Sequence, residues 1–272
     1  MLEKLLKILC VCMGLFSFAF AQAPKMIVLD PAIVEILYAL KAEDRILAIA
    51  KMQAPIKPAD KTSKLPVVGT FSHPSIEDIL RLKPDYVILN SYAMGIKPQL
   101  DNFNIKNLSF EAHSLEQIKN NILEIGKIVG KNQEAQKIVG KFETDIQELK
   151  KDSLGLQGAF IYSTAPLMLF GGDTLPSDIL ELLGIQNIAK EVHGKRPIIE
   201  QEFLLKNPPQ ILFYGVRVDS ESGLLNSLPL LKNTEAFTHK RLFYMQLHSL
   251  LRGSPNIIDE IKQLKEEIKK KI

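Results

Sequence analysis

Residues 65–91 read "LPVVGTFSHPSIEDILRLKPDYVILNS", and this stretch decides the fold. Val67 and Val68 suit a buried strand, and Gly69–Pro74 is rich in turn formers. Ser75–Leu82 carries apolar residues at helical spacing. Tyr86–Leu89 is a second apolar run of strand length. A strand, a loop, a helix and a strand in so short a span form one βα unit of an open parallel sheet.

The alternation extends in both directions. Upstream, "KMIVLD" is a short strand and "DPAIVEILYALKAEDRI" a helix. Asp30 caps that helix, Pro31 suits its first turn, and Ile33, Ile36, Leu37 and Leu40 share a face. "ILAIA" and, further on, "IKNLSFEA" continue the pattern. From Ser114 to about Lys151 it changes: "SLEQIKNNILEIGKIVG" and "NQEAQKIVGKFETDIQELKKD" are helical throughout. A second alternating region follows, with strands "GAFIYST", "LMLFGG", "QILFYGV" and "RLFYMQ". Its helices are "LPSDILELLG", "IEQEFLLKNP" and the terminal "NIIDEIKQLKEEIKKKI". The expected fold is therefore α/β, with two lobes on a helical connector. With no Gly/Ser linker, the connector is expected to hold the lobes stiffly, and ligands are expected off the carboxyl ends of the strands, between the lobes.

Composition narrows the function. The chain has 272 residues and a net charge of +3, with no basic block before the terminal "KEEIKKKI", so nucleic acid is not an expected partner. "MLEKLLKILCVCMGLFSFAFAQAP" opens with Lys4 and Lys7, continues as an apolar run and ends in Ala19-Phe20-Ala21. That is the pattern of a signal peptide cut after Ala21, and the run is shorter than the roughly 20 residues of a spanning helix. Cys10 and Cys12 would leave with it, which excludes disulfides, thiolate metal sites and cysteine nucleophiles from the exported chain.

In order, "IVLDPAIVEILYALKAEDRILAIA", "LPVVGTFSHPSIEDILRLKPDYVIL", "FGGDTLPSDILELLGIQNIA", "HGKRPIIEQEFLLKNPPQILF" and "RLFYMQLHSLLRGSPNIIDEI" resemble the helical-backbone (class III) periplasmic substrate-binding proteins of ABC importers. Those proteins carry ferric siderophores, haem, cobalamin and related metal chelates. The resemblance implies two Rossmann-like lobes joined by one long backbone helix, with the ligand cleft between them. It suggests a division into a signal peptide (1–21), an N-terminal lobe (22–131), a connecting helix (132–153) and a C-terminal lobe (154–272). It implies a monomer in the periplasm with no permanent cofactor, whose transported ligand is a small-molecule metal chelate. It also implies an inner-membrane ABC permease dimer with its ATPase as partner, docked through one acidic residue per lobe, here Glu77 and Glu202.

Three histidines fall on expected cleft loops. His193 in "VHGK" resembles a loop histidine that completes iron coordination in some ferric-siderophore binders. His248 stands nearest to a tyrosine ligand that the family often carries after its last strand, and its presence there leaves softer metals such as nickel open. His73 can reach in from the N-terminal lobe. Each is also readable as an ordinary loop histidine. Arg217 and Arg252 suit anionic ligands, since guanidinium offers forked donors. Tyr92 can stack on or ligate a ligand, and Phe71 and Met94 can form an apolar wall. Haem binders of the family usually carry a tyrosine where this chain has Thr70, and cobalamin binders an aromatic near Phe71, so both ligands stay open beside the siderophore.

Two other classes have weaker support. An exported hydrolase or metalloenzyme is expected to show G-x-S-x-G or H-E-x-x-H, and neither occurs. A carrier of bare metal ions is expected to cluster its ligands, whereas these histidines are dispersed.

Overall fold

The computed structural model describes residues 24–218, 220–245 and 250–272. The expected signal peptide and His248 lie outside the described residues.

The first sheet contains β1 (Met26–Val28), β2 (Ile46–Lys51), β3 (Val67–Thr70), β4 (Tyr86–Leu89) and β5 (Lys106–Ser109). Their order is β3-β2-β1-β4-β5, every pair parallel. The crossovers carry α1 (Pro31–Ala39), α2 (Ala59–Thr62), α3 (Ile76–Leu82) and α4 (Lys97–Asn102). Local chemistry sets the helix starts. Asp30 accepts from the Ala32 amide at 2.8 Å, with Pro31 opening the first turn. Ser75 accepts from the Asp78 amide at 3.2 Å.

Two helices separate this sheet from the next, α5 (Leu115–Ile128) and α6 (Asn132–Lys150). They pack closely because position 126 is glycine: a Cβ there would lie 2.5 Å from the Ala135 Cβ.

The second sheet contains β6 (Leu156–Thr164), β7 (Leu167–Leu169), β8 (Ile185–Asn187), β9 (Ile211–Tyr214) and β10 (Leu242–Tyr244). Strands β10, β9 and β6 run parallel. The first residues of β6 pair in parallel with β8, and its last residues pair antiparallel with β7. Around this sheet lie α7 (Leu175–Leu182), α8 (Glu202–Lys206), α9 (Glu221–Ser227), α10 (Glu235–Thr238) and the terminal α11 (Ile257–Lys269).

Strand residues alternate between separate cores. Met26, Val28, Ile88, Phe160, Phe213 and Phe243 point into one shared core with buried faces of α1, α5, α6, α7 and α11. Ile27, Leu29, Val87 and Leu89 face a second core on the outer side of the first sheet. Ala159, Ile161, Leu212 and Leu242 face a third, outside the second sheet. Period-two alternation thus appears in strands that read as continuous apolar runs, because both faces are buried. The shared core is why the helices between the sheets act as a packed layer rather than a tether.

Two sequence expectations change. The helix expected over "IEQEFLLKNP" spans only Glu202–Lys206. The Ile199 amide instead donates to the Leu167 carbonyl of β7 at 3.0 Å, and Pro208 and Pro209 stop the helix. Strand β8 had no place in the sequence reading, since it is three residues long and one of its two buried positions is Asn187.

Candidate functional site

The loops at the carboxyl ends of the parallel strands carry the exposed aromatic and cationic residues. In the first lobe they are organised by Asn90, which is buried. Its Nδ2 donates to the carbonyls of Leu29 and Phe71, both at 3.0 Å. Its Oδ1 accepts from the amides of Tyr92 at 2.8 Å and Ala93 at 2.9 Å. One amide group therefore ties together the ends of β1, β3 and β4, with every donor and acceptor used. The result is a fixed aromatic pair: Phe71 and Tyr92 stand 5.2 Å apart, centroid to centroid. Tyr92 is 70% exposed and Met94 is also exposed, so this corner leaves aromatic and apolar surface open to solvent.

In the second lobe the centre is Tyr162, on β6. Phe170 meets its ring edge-on at 5.5 Å. The Arg196 guanidinium lies 4.6 Å from the ring centroid and that of Arg217 lies 5.1 Å away. Both arginines are exposed, and no ion pair joins either to a carboxylate among the described residues. One phenol thus holds two free cationic forks side by side. Arg217 stands where expected, on the loop after β9. Sequence reading missed Tyr162 and Arg196. The usable sign was position: Tyr162 falls near the end of a central strand, and Arg196 lies in the same loop as His193.

That loop is held by the glycine pair of "FGGDT". The Gly171 amide donates to the Lys195 carbonyl at 3.0 Å, and a side chain at Gly171 would collide with the Gly194 carbonyl. The pair is a packing surface for residues 190–197. His193 is exposed on this loop. His73 is exposed in the turn after β3, its Nδ1 2.9 Å from the Ser72 hydroxyl. Among the described residues no three His, Asp, Glu or Cys side chains converge as a metal site.

Arg252 departs from expectation. Its side chain is 3% exposed and pairs with Glu35, whose side chain is 2% exposed. The same guanidinium donates to the Pro55 carbonyl at 2.9 Å. Glu35 also accepts from the Lys57 amide at 3.0 Å, Asn256 Nδ2 at 2.9 Å and the Ser254 hydroxyl. Arg252 therefore fastens the segment after β10 to α1 rather than standing free on a loop. Burial pushes the Glu35 carboxyl up, but the hydrogen bonds from Lys57, Ser254 and Asn256 and the charge of Arg252 outweigh it. The net effect holds it below the ordinary glutamate value.

Asp30, at the end of the central strand β1, has the opposite balance. Burial raises its pKa to about 6, against the lowering pull of the Ala32 and Ile33 amides and of Arg252. Glu77 and Glu202 are exposed in the first turns of α3 and α8.

Two α/β lobes with a shared helical layer, presenting aromatic and cationic loops at their strand ends, have the layout of a two-lobed solute-binding protein. The periplasmic binding protein family matches residues 26–247, and the chain belongs to that family. It is a substrate-binding protein rather than an enzyme, and it holds a transported ligand rather than a permanent cofactor. The vitamin B12-binding protein of Vibrio parahaemolyticus is 26% identical over 243 residues, covering 85% of this chain and 87% of that protein. A possible iron-binding, periplasmic solute-binding protein from Staphylococcus epidermidis has the same fold with a TM-score of 0.80. It is 19% identical, and the match covers 90% of this chain and 99% of that one. The periplasmic haem-binding protein HutB of Vibrio cholerae matches with a TM-score of 0.77 at 21% identity, over 90% of this chain and 98% of its own.

Proposed function

We propose that this chain is the periplasmic component of an ABC importer and captures an intact metal chelate, with a corrinoid as the first ligand to test. The observation that supports the reading is a ligand-suited surface at the strand ends of each lobe. Phe71 and Tyr92 offer aromatic faces to a flat macrocycle, and Arg196 and Arg217 on Tyr162 offer forked donors to its anionic or carbonyl periphery. A chelate brings its metal already coordinated, so the protein needs contact surfaces rather than a full ligand set. The B12-binding relative supports the corrinoid, and the haem-binding and iron-binding neighbours keep the wider class of chelates in play. His193 remains a contact for the ferric-siderophore reading, together with His248.

Calorimetric titration with cyanocobalamin, haemin and a ferric catecholate tests the reading. One chelate is expected to saturate the protein at a single site. Saturation by bare nickel or iron alone, with no chelate bound, would overturn it. Arg217→Ala and Arg196→Ala are each expected to weaken the bound chelate about tenfold, the loss of one good charge-assisted contact. Lysine at either position is expected not to restore affinity, because ammonium lacks the planar fork that stacks on Tyr162.

The remaining assignments follow from the same reading. Residues 1–21 export the chain, residues 132–153 connect the lobes 22–131 and 154–272, and the protein works as a monomer. Glu77 and Glu202 meet cationic groups of an inner-membrane permease coupled to its ATPase. Both carboxylates are exposed at helix starts, where a negative charge is favoured. The double change Glu77→Arg and Glu202→Arg is expected to abolish ligand import by whole cells while leaving chelate affinity unchanged. A parallel fall in affinity would return both residues to an ordinary structural role.

A further inference from the structure

The segment that carries Arg196 runs along β7. The Gly171 amide donates to the Lys195 carbonyl at 3.0 Å, the Leu169 amide to the Pro197 carbonyl at 3.4 Å, and the Ile199 amide to the Leu167 carbonyl at 3.0 Å. These bonds are spaced as in an antiparallel ladder. They set Ile198 opposite Met168 as a pair that is not itself hydrogen-bonded, the kind whose side chains stand closest. Their face follows from their neighbours. Leu167, Leu169 and Ile199 pack into the outer core of this lobe. Met168, Ile198 and Arg196 alternate with them and so point the other way. Tyr162 joins that face through a shift of register. Ile161 pairs with Leu169 and Ser163 with Met168, which leaves Tyr162 as the extra residue of a bulge beside Met168.

One face of this hairpin and its flanking segment therefore carries Tyr162, Phe170, Arg196, Met168 and Ile198. Contacts tie the first three together: Phe170 meets the Tyr162 ring edge-on, and the Arg196 and Arg217 guanidinium groups lie over it. Ile198 is 65% exposed, and Met168 beside it is half-buried. A lone exposed isoleucine needs no special account. This one is paired with a second apolar side chain and stands two residues from a guanidinium on the same face. The cationic forks thus continue directly into a short apolar strip.

We infer that Ile198, with Met168 beside it, is a specificity-determining contact of the second lobe. It takes an apolar edge of the chelate, alkyl groups or aromatic C–H, whose anionic or carbonyl arm lies on Arg196 and Arg217. The inference rests on the chelate-binding reading above and narrows it. The ligand must present apolar and polar groups next to each other along one edge. Covering Ile198 then removes apolar surface from water at the same time as the arm meets its forked donors. A chelate that is polar all round its rim gains nothing from the strip and leaves Ile198 facing hydrophilic groups.

The test compares the natural chain with Ile198→Val, Ile198→Ser and Ile198→Asp. Affinity is measured for cyanocobalamin, haemin, a ferric catecholate and ferric citrate, the last being polar all round. Melting temperature is measured without ligand. Because Ile198 is exposed, every variant is expected to melt within about 2 °C of the natural chain. Serine is expected to weaken the bound chelate about tenfold and valine no more than about twofold. Aspartate is expected to weaken it on the order of a hundredfold, since its carboxylate also competes for Arg196. Unchanged affinity in the serine and aspartate variants would overturn the inference. If import by whole cells fell all the same, Ile198 would belong to the permease contact instead. Preference for ferric citrate over the other three would overturn it as well. If no chelate bound the natural chain, the function reading would fail separately, and anilinonaphthalene sulfonate, an apolar aromatic anion, would decide the inference. The dye is expected to bind the natural chain, and Ile198→Asp and Arg196→Ala are each expected to weaken it severalfold. Dye binding indifferent to both changes, or none at all, would overturn the inference.

Discussion

Arg252→Met is expected to destabilise the protein by about 3–5 kcal/mol, the cost of leaving a buried carboxylate without its cation. For a chain of this length that corresponds to a fall in melting temperature of roughly 10 °C. Glu35 would keep the Lys57 amide, Ser254 and Asn256, but would lose the single positive charge that faces it. Its pKa, now held below the ordinary value, would rise. The sign of the pH effect follows. In the natural chain the pair adds stability at pH values above the unfolded glutamate range and loses it as pH falls through the lowered pKa. In the variant the buried charge is itself the penalty, so the deficit should be largest near neutral pH and shrink as Glu35 is protonated. Adding Glu35→Leu to Arg252→Met should recover much of the loss, because removing both partners of a buried pair costs far less than removing one. Melting curves of the single and double variants at two pH values measure all of this. A double variant as unstable as the single would show that the segment 252–256 is held by packing and not by the charge pair.

The Glu35–Arg252 pair also shows where sequence reasoning stops. The βα alternation was legible because strand and helix periods are local properties, and the caps Asp30 and Ser75 are set within three residues of what they cap. Arg252 and Glu35 are 217 residues apart, and nothing near either one signals the other. An arginine after the last strand looked like a ligand contact for the same reason that Arg217 did. The structure separates them: Arg217 is exposed beside Tyr162, and Arg252 is buried under α1. The cluster on Tyr162 draws on three separate segments, so only Arg217, which sits directly after a strand, could be picked out. The glycines of "FGGDT" were visible as a pair, but their purpose depends on the loop at residues 190–197 lying against them. The position of Glu77 in a first turn was readable because Ser75 marks that helix start, whereas the helix that Glu202 opens has no side-chain cap and begins later than its sequence pattern suggests.

Asn90→Ala carries the second large effect and reaches both stability and binding. The substitution removes two donors and two acceptor contacts at once, leaving the Leu29 and Phe71 carbonyls and the Tyr92 and Ala93 amides without that partner. At roughly 1–3 kcal/mol for each buried polar group left unsatisfied, and with partial rescue by water and by the Ala93 amide's second acceptor at the Asn90 carbonyl, the expected loss is about 2–4 kcal/mol. The binding loss should exceed that of Tyr92→Ala, because Asn90 positions Phe71 and Tyr92 together whereas the tyrosine variant removes one ring. Asn90→Asp separates geometry from charge. Its carboxylate can still accept from the Tyr92 and Ala93 amides, but it turns a negative oxygen toward two carbonyls. That repulsion, added to burial, should raise its pKa well above the ordinary aspartate range. Stability of this variant should therefore improve as pH falls, since the protonated acid can donate to one carbonyl. The alanine variant, having no titrating group there, should show no such recovery. Denaturant melts of both variants at about pH 5 and about pH 7.5, with chelate affinity measured alongside, decide the matter. If Asn90→Ala left the affinity unchanged, the Phe71–Tyr92 corner would not be a ligand surface, and the aromatic half of the proposed site would have to be withdrawn.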